Sequence, residues 1–430
     1  MQTRALPGFR DFYPDDLVLR SHIFRTWREV AARYGFVEYD GPPLELYTEK
    51  SGAEIVGQLY CFSDKGGREV ALRPEMTPTL ARMVAARASG LPKPIRWFSI
   101  PQLFRYERQQ RGRLREHFQL NCDLIGEAGP LADAEIIALA IDVMRAFGLG
   151  AKDVRVRLSD RRVLTTLLGA GGVSAEQLSD AFQVIDRSER TPHEQLAAQL
   201  TAAGLGAAAV DEVFRVSSLR GWPAVQEALA ESGAPAGASE PLARTISALE
   251  AMGLGEFIDV DLTIVRGLAY YTGTVFELFD AARSLRAVCG GGRYDTLLAS
   301  LGGVDLPALG FGMGDVVLGE LLRERGLVPA AIGSIDVFVA GITADDEPHV
   351  LSAAHELRNA GFRCEFAFGG QALGRQLKLA DTRGARQVVV IGPDERARGE
   401  VILKDLQMKA QRAIPRAAVV REVAAAAAHG

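Results

Sequence analysis

The chain has 430 residues, of which 48% are hydrophobic and 24% are charged, and its formal net charge is −5. This length predicts two or three domains with well-buried cores, and the composition is that of ordinary folded proteins, which leaves little room for long disorder. The acidic balance excludes a protein that coats nucleic acid with its whole surface, although local basic patches remain compatible with it.

No stretch is apolar and long enough for a signal peptide or a membrane span, so we expect a cytoplasmic protein with no membrane association. The cysteines are far apart and form no Cys-x-x-Cys pair: Cys61, Cys122, Cys289 and Cys364. This spacing indicates neither a disulfide framework nor a zinc cage, and the sequence names no metal ligands.

The first elements are a helix and a hairpin. Apolar residues at helical spacing predict a helix over residues 16–35, followed by the strand-like segment FVEYD, and CFSDKGGREVALRPE predicts a β-hairpin. Glu75 and Thr77 follow, and on an extended backbone their carboxylate and hydroxyl point to the same side, where they could hold an ammonium group. The alternative is a strand end followed by a helix cap at Thr77.

The segments RWFSI, QLFRYER and HFQLNCDLIG predict further strands joined by short loops, which indicates an antiparallel sheet. One stretch of this region carries five arginines against one glutamate: Arg105, Arg108, Arg111, Arg113 and Arg115. A guanidinium can bind phosphate or carboxylate through two hydrogen bonds, so this strand-loop-strand predicts a nucleotide site. The alternative is an evenly solvated charged surface.

Amphipathic Ala/Leu-rich segments predict a helical insertion at about residues 160–255, after which DVDLTIV and TVFELFD return to strand character. Arg266, Tyr270 and Tyr271 lie between these two strands. A buried arginine is costly without an anion opposite it, so a phosphate or carboxylate ligand explains Arg266 better than core packing does. For the tyrosines, one ring in the core and one at the surface is the alternative.

The glycine-rich segments CGGGRYD and LGFGMGD are not phosphate loops, because no Gly-Lys-Ser/Thr closes them and their spacing does not match a dinucleotide fingerprint. We interpret these glycines as permitting close approach of the backbone to a ligand. Beyond residues 326–334, strands alternate with helices and predict a small parallel α/β domain. Residues 361–416 carry eleven Lys or Arg against six Asp or Glu, a local basic excess.

Taken in order, these segments resemble the histidyl-tRNA synthetases, which are class II aminoacyl-tRNA synthetases. The class motifs correspond to the helix and strand that end near Pro43, to FRYERQQRGRLREHFQLNCD and to ALGFGMGDVVLGELL. The more specific stretches RGLAYYTGTVFE (266–277) and GGGRYD (290–295) are similar to the family's histidine signatures. The segment GRQLKLAD (374–381) is similar to the anticodon-binding domain of several class II synthetases.

This resemblance implies an α+β fold with two parts. A class II antiparallel sheet with flanking helices and the helical insertion is expected over residues 1–330, and a small α/β anticodon-binding domain over 333–430. The implied activity is ATP-dependent conversion of L-histidine to histidyl-adenylate and its transfer to the 3′ end of tRNA(His). ATP is then a substrate, Mg²⁺ accompanies ATP, and the assembly is a homodimer.

The resemblance also implies roles for the phosphate-binding residues. Arg105 and Arg266 are the implied catalytic residues: Arg105 holds the α-phosphate, and the charge of Arg266 lies beside the same reacting phosphate. Arg113 reaches the outer phosphates of ATP.

Histidine is the implied ligand of a second set of residues. Glu75 and Thr77 take its amino group, and Gln119 contacts its polar backbone atoms. Asp123 and Tyr271 recognise the imidazole ring, and Tyr270 packs beside them.

Three positions depart from the family pattern. Asp123 stands where glutamate is common, Ala269 where aspartate is frequent, and Val317 where an arginine usually stacks on adenine. An arginine from elsewhere in the chain could replace the last, or adenine is held in another way.

Two other functions are alternatives to the enzyme activity. One is the synthetase-like regulatory subunit of ATP phosphoribosyltransferase, and the other is a non-catalytic tRNA-binding sensor module. The intact 266–277 stretch and the additional C-terminal domain favour the enzyme.

Overall fold

The computed structural model describes residues 4–46, 57–108, 110–235, 237–266, 270–329 and 335–428. The chain divides into two compact units, Met1–Pro329 and Ala330–Gly430. Each unit has hydrophobic clusters of its own.

The larger unit contains both strands and helices. Its described strands are β1 (Val37–Glu38), β2 (Leu44–Leu46), β3 (Tyr60–Ser63), β4 (Glu69–Leu72), β5 (Ile95–Ser99), β6 (Gln102–Phe104), β7 (Glu116–Ile125), β8 (Val154–Asp160), β9 (Ile258–Val260), β10 (Thr274–Asp280), β11 (Cys289–Arg293) and β12 (Ala308–Gly314). Its described helices are α1 (Pro14–Arg33), α2 (Thr77–Arg87), α3 (Pro130–Ala146), α4 (Arg161–Ala170), α5 (Leu178–Arg187), α6 (His193–Ala202), α7 (Ala207–Ser218), α8 (Trp222–Glu231), α9 (Glu240–Ala251), α10 (Leu297–Gly302) and α11 (Asp315–Glu324).

Within these residues, a nine-stranded sheet runs in the order β1-β5-β7-β12-β11-β10-β8-β9, with β6 paired to β7. Its neighbours are antiparallel except β1 with β5 and β8 with β9. Strand alternation decides its faces: Leu120, Cys122 and Leu124 of β7 join the core with helices α1, α3 and α11, whereas Gln119 and Asp123 point away from that core. The antiparallel sheet with flanking helices is therefore confirmed.

Several local expectations need adjustment. The hairpin forms as β3 and β4, but it pairs with β2 in a separate three-stranded sheet of the described chain. The strand predicted over DVDLTIV ends at Val260, because the Asp261 carboxylate accepts hydrogen bonds from the backbone and the hydroxyl of Thr263 and turns the chain. Helices α4 to α9 occupy the region expected to be a helical insertion.

The smaller unit has a mixed sheet. Its described elements are β13 (Val337–Gly341), α12 (Glu347–Asn359), β14 (Cys364–Phe366), α13 (Leu373–Thr382), β15 (Gln387–Ile391), α14 (Pro393–Ala397), β16 (Glu400–Asp405), β17 (Ala410–Pro415) and α15 (Val419–Ala428). The strand order is β14-β13-β15-β16-β17, and only the first three strands are parallel. The three strands named by the prediction are parallel, and β16 and β17, which it did not name, add an antiparallel hairpin along the edge of β15.

None of the described helices combines the length and the apolar composition that a membrane crossing requires.

Candidate active site

An open cleft lies on the face of the large sheet that faces away from the main core. Its volume is about 850 Å³, which is sufficient for a nucleotide and a small substrate. Arg105, Arg113, Gln119 and Arg266 all line it, together with the partly buried carboxylate Glu277. The cleft therefore brings together cations that lie far apart in the sequence.

The floor of this cleft is a band of glycines in two adjacent strands. Gly310 of β12 is opposite Asp123 of β7, and Gly292 of β11 is opposite Gly310. Two residues along the strands, Gly290 is opposite Gly312. Because alternate residues share a face, β11 and β12 place no side chain on the cleft side at these positions.

The missing side chains leave space for other residues of the protein. A Cβ atom at Gly290 would lie 1.3 Å from Nη1 of Arg266, and one at Gly310 would lie 2.3 Å from Oδ1 of Asp123. At Gly312 it would lie 2.6 Å from the side chain of Gln119. The close approach seen at these glycines is thus made by site side chains that lie flat on the band.

Arg266 has an unusual backbone and a partly buried guanidinium. Its φ is +57°, in the left-handed region that side chains rarely adopt, and such strain is often retained at functional sites. Nη1 lies 3.7 Å from Oε1 of Glu277 and has no hydrogen-bond partner among the residues that the structure describes. Burial alone would lower the pKa of Arg266, but Tyr271 and Glu277 outweigh it and raise the pKa above its ordinary value. A charged donor is therefore available to an anion in the cleft.

Arg161 holds the chain on both sides of Arg266. Its guanidinium donates to the carbonyls of Val265 and Arg266, at 3.2 and 3.0 Å, and to that of Tyr271 at 3.3 Å. Ala269, one of the departures from the family pattern, lies outside the described residues.

The five clustered arginines separate into different environments. Arg105 follows the end of β6 instead of lying in the predicted strand, and its Nε donates to the Pro74 carbonyl at 3.0 Å. Arg113 also reaches the cleft, where it forms a 2.6 Å ion pair with Glu107. Arg111 instead pairs with Glu320 and Glu324 of α11, at 3.2 and 2.5 Å.

Arg108 and Arg115 complete the arginine cluster. Arg108 is exposed, and Arg115 packs over the Tyr106 ring at 4.1 Å. Neither is among the described residues that line the cleft. The solvated-surface alternative thus describes part of the cluster, whereas Arg105 and Arg113 line the cleft, where the nucleotide-site interpretation remains a prediction.

Glu75 and Thr77 do not lie on an extended backbone. Met76 between them is helical, with φ −93° and ψ −19°, and α2 begins at Thr77. The geometric assumption behind their pairing is therefore wrong, because the strand has already ended at Leu72. Burial raises the pKa of Glu75 and the nearby Arg105 opposes this shift, so the two side chains lie close together.

Asp123 is buried, with 6% of its surface exposed, and accepts a hydrogen bond from the Tyr294 hydroxyl. Burial raises the pKa of Asp123 to about 7, although the hydrogen bond from Tyr294 lowers it. The Tyr294 ring meets Tyr270 edge to face at 6.0 Å, and Tyr270 lies 5.0 Å from Tyr271. Asp123 and these tyrosines thus form one polar and aromatic cluster.

We expect Asp123→Asn to stabilise the protein increasingly as the pH rises. The folded pKa of about 7 exceeds the ordinary 3.8, so the unfolded chain releases this proton first. Between these values the wild type loses stability with rising pH, up to about 4 kcal/mol above pH 7, whereas asparagine does not titrate. Urea unfolding of both proteins from about pH 4 to about pH 8 measures the difference. A difference that stays constant across this range would contradict the expectation.

Sequence reasoning missed Tyr294, Glu277 and His117. Tyr294 and Glu277 lie inside the two quoted signatures. The alternation of side chains along a strand could have identified them, because it places them on the same face of the sheet as other residues of the site. His117 lines the cleft, and burial, together with Arg105 and Arg10, lowers its pKa to about 3. It is therefore neutral at physiological pH.

Val317, the third departure, also lines the cleft. A Cβ atom at Gly112 would lie 3.2 Å from Cγ2 of Val317 and 3.8 Å from Cδ of Arg286. Arg286 from the loop after β10 therefore lies near the position where the family usually has its arginine.

The large sheet contains six neighbouring antiparallel strands, and its cleft is lined by an arginine of a strand-loop-strand and by a Gly-rich strand and helix. This is the catalytic fold of the class II aminoacyl-tRNA synthetases. A family model described as "Histidyl-tRNA synthetase" matches residues 8–314, and one described as "Anticodon binding domain" matches residues 336–426. The chain belongs to the histidyl-tRNA synthetase family.

Similar proteins agree with this assignment. The histidine–tRNA ligase of Opitutus terrae is 45% identical over 423 residues, which cover 96% of either chain. The crystal structure of histidyl-tRNA synthetase from Nostoc sp. PCC 7120 has a TM-score of 0.79 and 25% identity, covering 98% of this chain and 99% of that one. An "ATP phosphoribosyltransferase regulatory subunit/histidyl-tRNA synthetase" from Bacillus halodurans C has a TM-score of 0.73 at 23% identity, covers 91% of this chain and 99% of its own, and shows the fold alone.

Proposed function

We propose that this protein is an ATP-dependent histidine–tRNA ligase, which forms histidyl-adenylate and transfers histidine to the 3′ end of tRNA(His). The observation that carries the proposal is the Arg266 guanidinium, which lies on Gly290 in the cleft that Arg105 and Gln119 also line. Its buried Nη1 has no hydrogen-bond partner among the described residues. The membership of the chain in the histidyl-tRNA synthetase family supports the same activity.

In the first step, the histidine carboxylate attacks the α-phosphorus of ATP in line, the bond from the α-phosphorus to the bridging oxygen breaks, and pyrophosphate leaves as histidyl-adenylate forms. Arg105 and Arg266 bind the α-phosphate oxygens, where negative charge develops, and Arg113 at the cleft rim binds the outer phosphates. Fixed cations need no reorganisation during the reaction, so positioning and electrostatics supply most of the acceleration. The tRNA 3′-terminal hydroxyl then attacks the histidyl carbonyl and AMP leaves.

Mg²⁺ enters with ATP as part of the substrate. The described residues contain no group of three His, Cys, Asp or Glu that could hold a metal ion. Mg²⁺ bound to ATP phosphates needs only one or two protein carboxylates, and Glu107 and Glu277 line the cleft. The metal neutralises charge on the phosphates when it is bound.

Histidine occupies the end of the glycine band near Asp123. Glu75 and Thr77 hold its amino group, and Gln119 contacts its polar backbone atoms. Asp123 and Tyr271 recognise the imidazole ring beside Tyr270, and the Tyr294 hydroxyl holds the shorter aspartate in place. A competing side chain without ring nitrogens would leave these buried groups unpaired, at about 1 to 3 kcal/mol each.

The remaining parts of the proposal concern assembly and location. We propose a cytoplasmic homodimer whose 333–430 domain binds the anticodon. The exposed apolar side chains Leu46 and Phe62 on the small sheet, 65% and 48% exposed, support an interface there. Analytical ultracentrifugation of the wild type and of Leu46→Asp tests the dimer, and sedimentation of both as monomers would refute it.

The test of function is histidine-dependent exchange of pyrophosphate into ATP. We expect the purified protein to catalyse this exchange with histidine and not with any other amino acid tested singly. Exchange driven equally by several amino acids would refute the specificity. Failure of exchange together with stimulation of an ATP phosphoribosyltransferase would favour the regulatory-subunit alternative.

A further inference from the structure

Phe368, two residues beyond the end of β14, is the most exposed large apolar side chain in the part of the chain that the structure describes. Its surface is 81% exposed. An exposed aromatic ring can stack on another planar group. The ring lies 5.2 Å from Phe366, which in turn packs under the Arg358 guanidinium at 5.3 Å.

The loop that carries Phe368 is anchored. The buried side chain of Gln376 donates to the carbonyl of Gly341 at 2.7 Å and to that of Gln371 at 2.6 Å. It also accepts from the Gly341 N–H at 3.3 Å. This bonding ties the loop to the carboxyl end of β13, so the ring is presented at little entropic cost on binding.

The surface beside Phe368 is basic. Arg375 and Lys378 of α13 are exposed, and neither forms an ion pair with any described residue. The exposed cations of α13 therefore suit a polyanion.

From these observations we infer that Phe368, Arg375 and Lys378 form a docking surface for an unpaired and unstacked base in a single-stranded loop of RNA. An aromatic ring stacks on any base, and the cations contact the neighbouring phosphates. The inference rests on the proposed function, because it takes this RNA to be tRNA(His). It assigns the stacking contact to Phe368.

The test measures tRNA charging and adenylation separately in the full-length protein. Phe368→Ala is expected to raise the KM for tRNA(His) by about tenfold, as the loss of one base stack does, with pyrophosphate exchange unchanged. Phe368→Tyr keeps the ring and should charge tRNA as the wild type does. Phe368→Leu keeps the apolar volume without the ring and should behave like the alanine variant.

Met408 supplies the matched control. It is 72% exposed on the turn between β16 and β17, and the pairing of Asp405 with Gln387 places that turn at the other end of the sheet. Met408→Ala should leave the KM for tRNA unchanged. Lys378→Ala should reduce the slope of log affinity against log salt by about 0.7, the value for one phosphate contact on a single strand.

The outcomes separate this inference from the proposed function. A wild-type KM for tRNA in Phe368→Ala overturns the docking surface while histidine-dependent exchange still supports the enzyme. A change in sedimentation without a change in KM would assign Phe368 to an interface with a second copy and also overturn it. Absence of histidine-dependent exchange in the wild type would instead refute the proposed function.

Discussion

Replacing Arg266 by alanine is expected to lower the turnover of pyrophosphate exchange by about 100- to 1000-fold, the usual loss when one preorganised donor to developing charge is removed. The guanidinium is partly buried and remains charged, and its Nη1 has no hydrogen-bond partner among the described residues. Its benefit arises mainly when charge develops on the α-phosphate, so the KM for histidine should change much less than turnover.

Arg325→Ala is a suitable control for this variant. Arg325 directly follows α11 and is not among the described residues that line the cleft, and its Nε contacts Asp153 at 3.0 Å. Its loss should leave exchange unaltered. If Arg266→Ala retained the turnover of the wild type while melting at the same temperature, Arg266 would have no catalytic role.

Gly290→Ala is expected to reduce exchange about as much as Arg266→Ala does, on the order of 100-fold or more, without unfolding the protein. The added Cβ would overlap Nη1 of Arg266 at 1.3 Å and Cζ at 2.5 Å. These atoms are at the far end of a flexible side chain, so the guanidinium moves and the sheet does not. Circular dichroism melting and exchange kinetics measure the two effects.

The neighbouring glycine gives the opposite expectation. A Cβ at Gly291 would lie 2.2 Å from the carbonyl oxygen of Gly310, a backbone atom that cannot move without disturbing the sheet. Gly291→Ala should therefore lower the melting temperature, which Gly290→Ala leaves unchanged.

A double-mutant cycle tests whether Gly290 acts through Arg266. If Gly290 only provides space for the guanidinium, Gly290→Ala should cost nothing further in a protein that already carries Arg266→Ala. Additive losses would show that Gly290 acts on the substrate directly. That result would agree with the interpretation from the sequence, in which the glycines permit close approach of the backbone to a ligand.

Much of the site chemistry was predictable because it lies in short motifs. The residues of RGLAYYTGTVFE and GGGRYD are contiguous, so their resemblance to a family could be identified without knowledge of any contact. The residues of the arginine cluster could not be sorted in this way. Arg105 and Arg111 are six positions apart with the same side chain, yet one lines the cleft and the other pairs with α11.

By itself the sequence determined the secondary structure of most elements, the antiparallel sheet and the family, because helical and strand periodicity and contiguous motifs are local properties of the chain. Only the tertiary structure decided that Arg266 lies on Gly290, that Asp123 is buried against Tyr294, and that Glu75 precedes a helix. These relations depend on the pairing and register of strands distant in sequence, and a shift of one residue would turn each side chain to the other face.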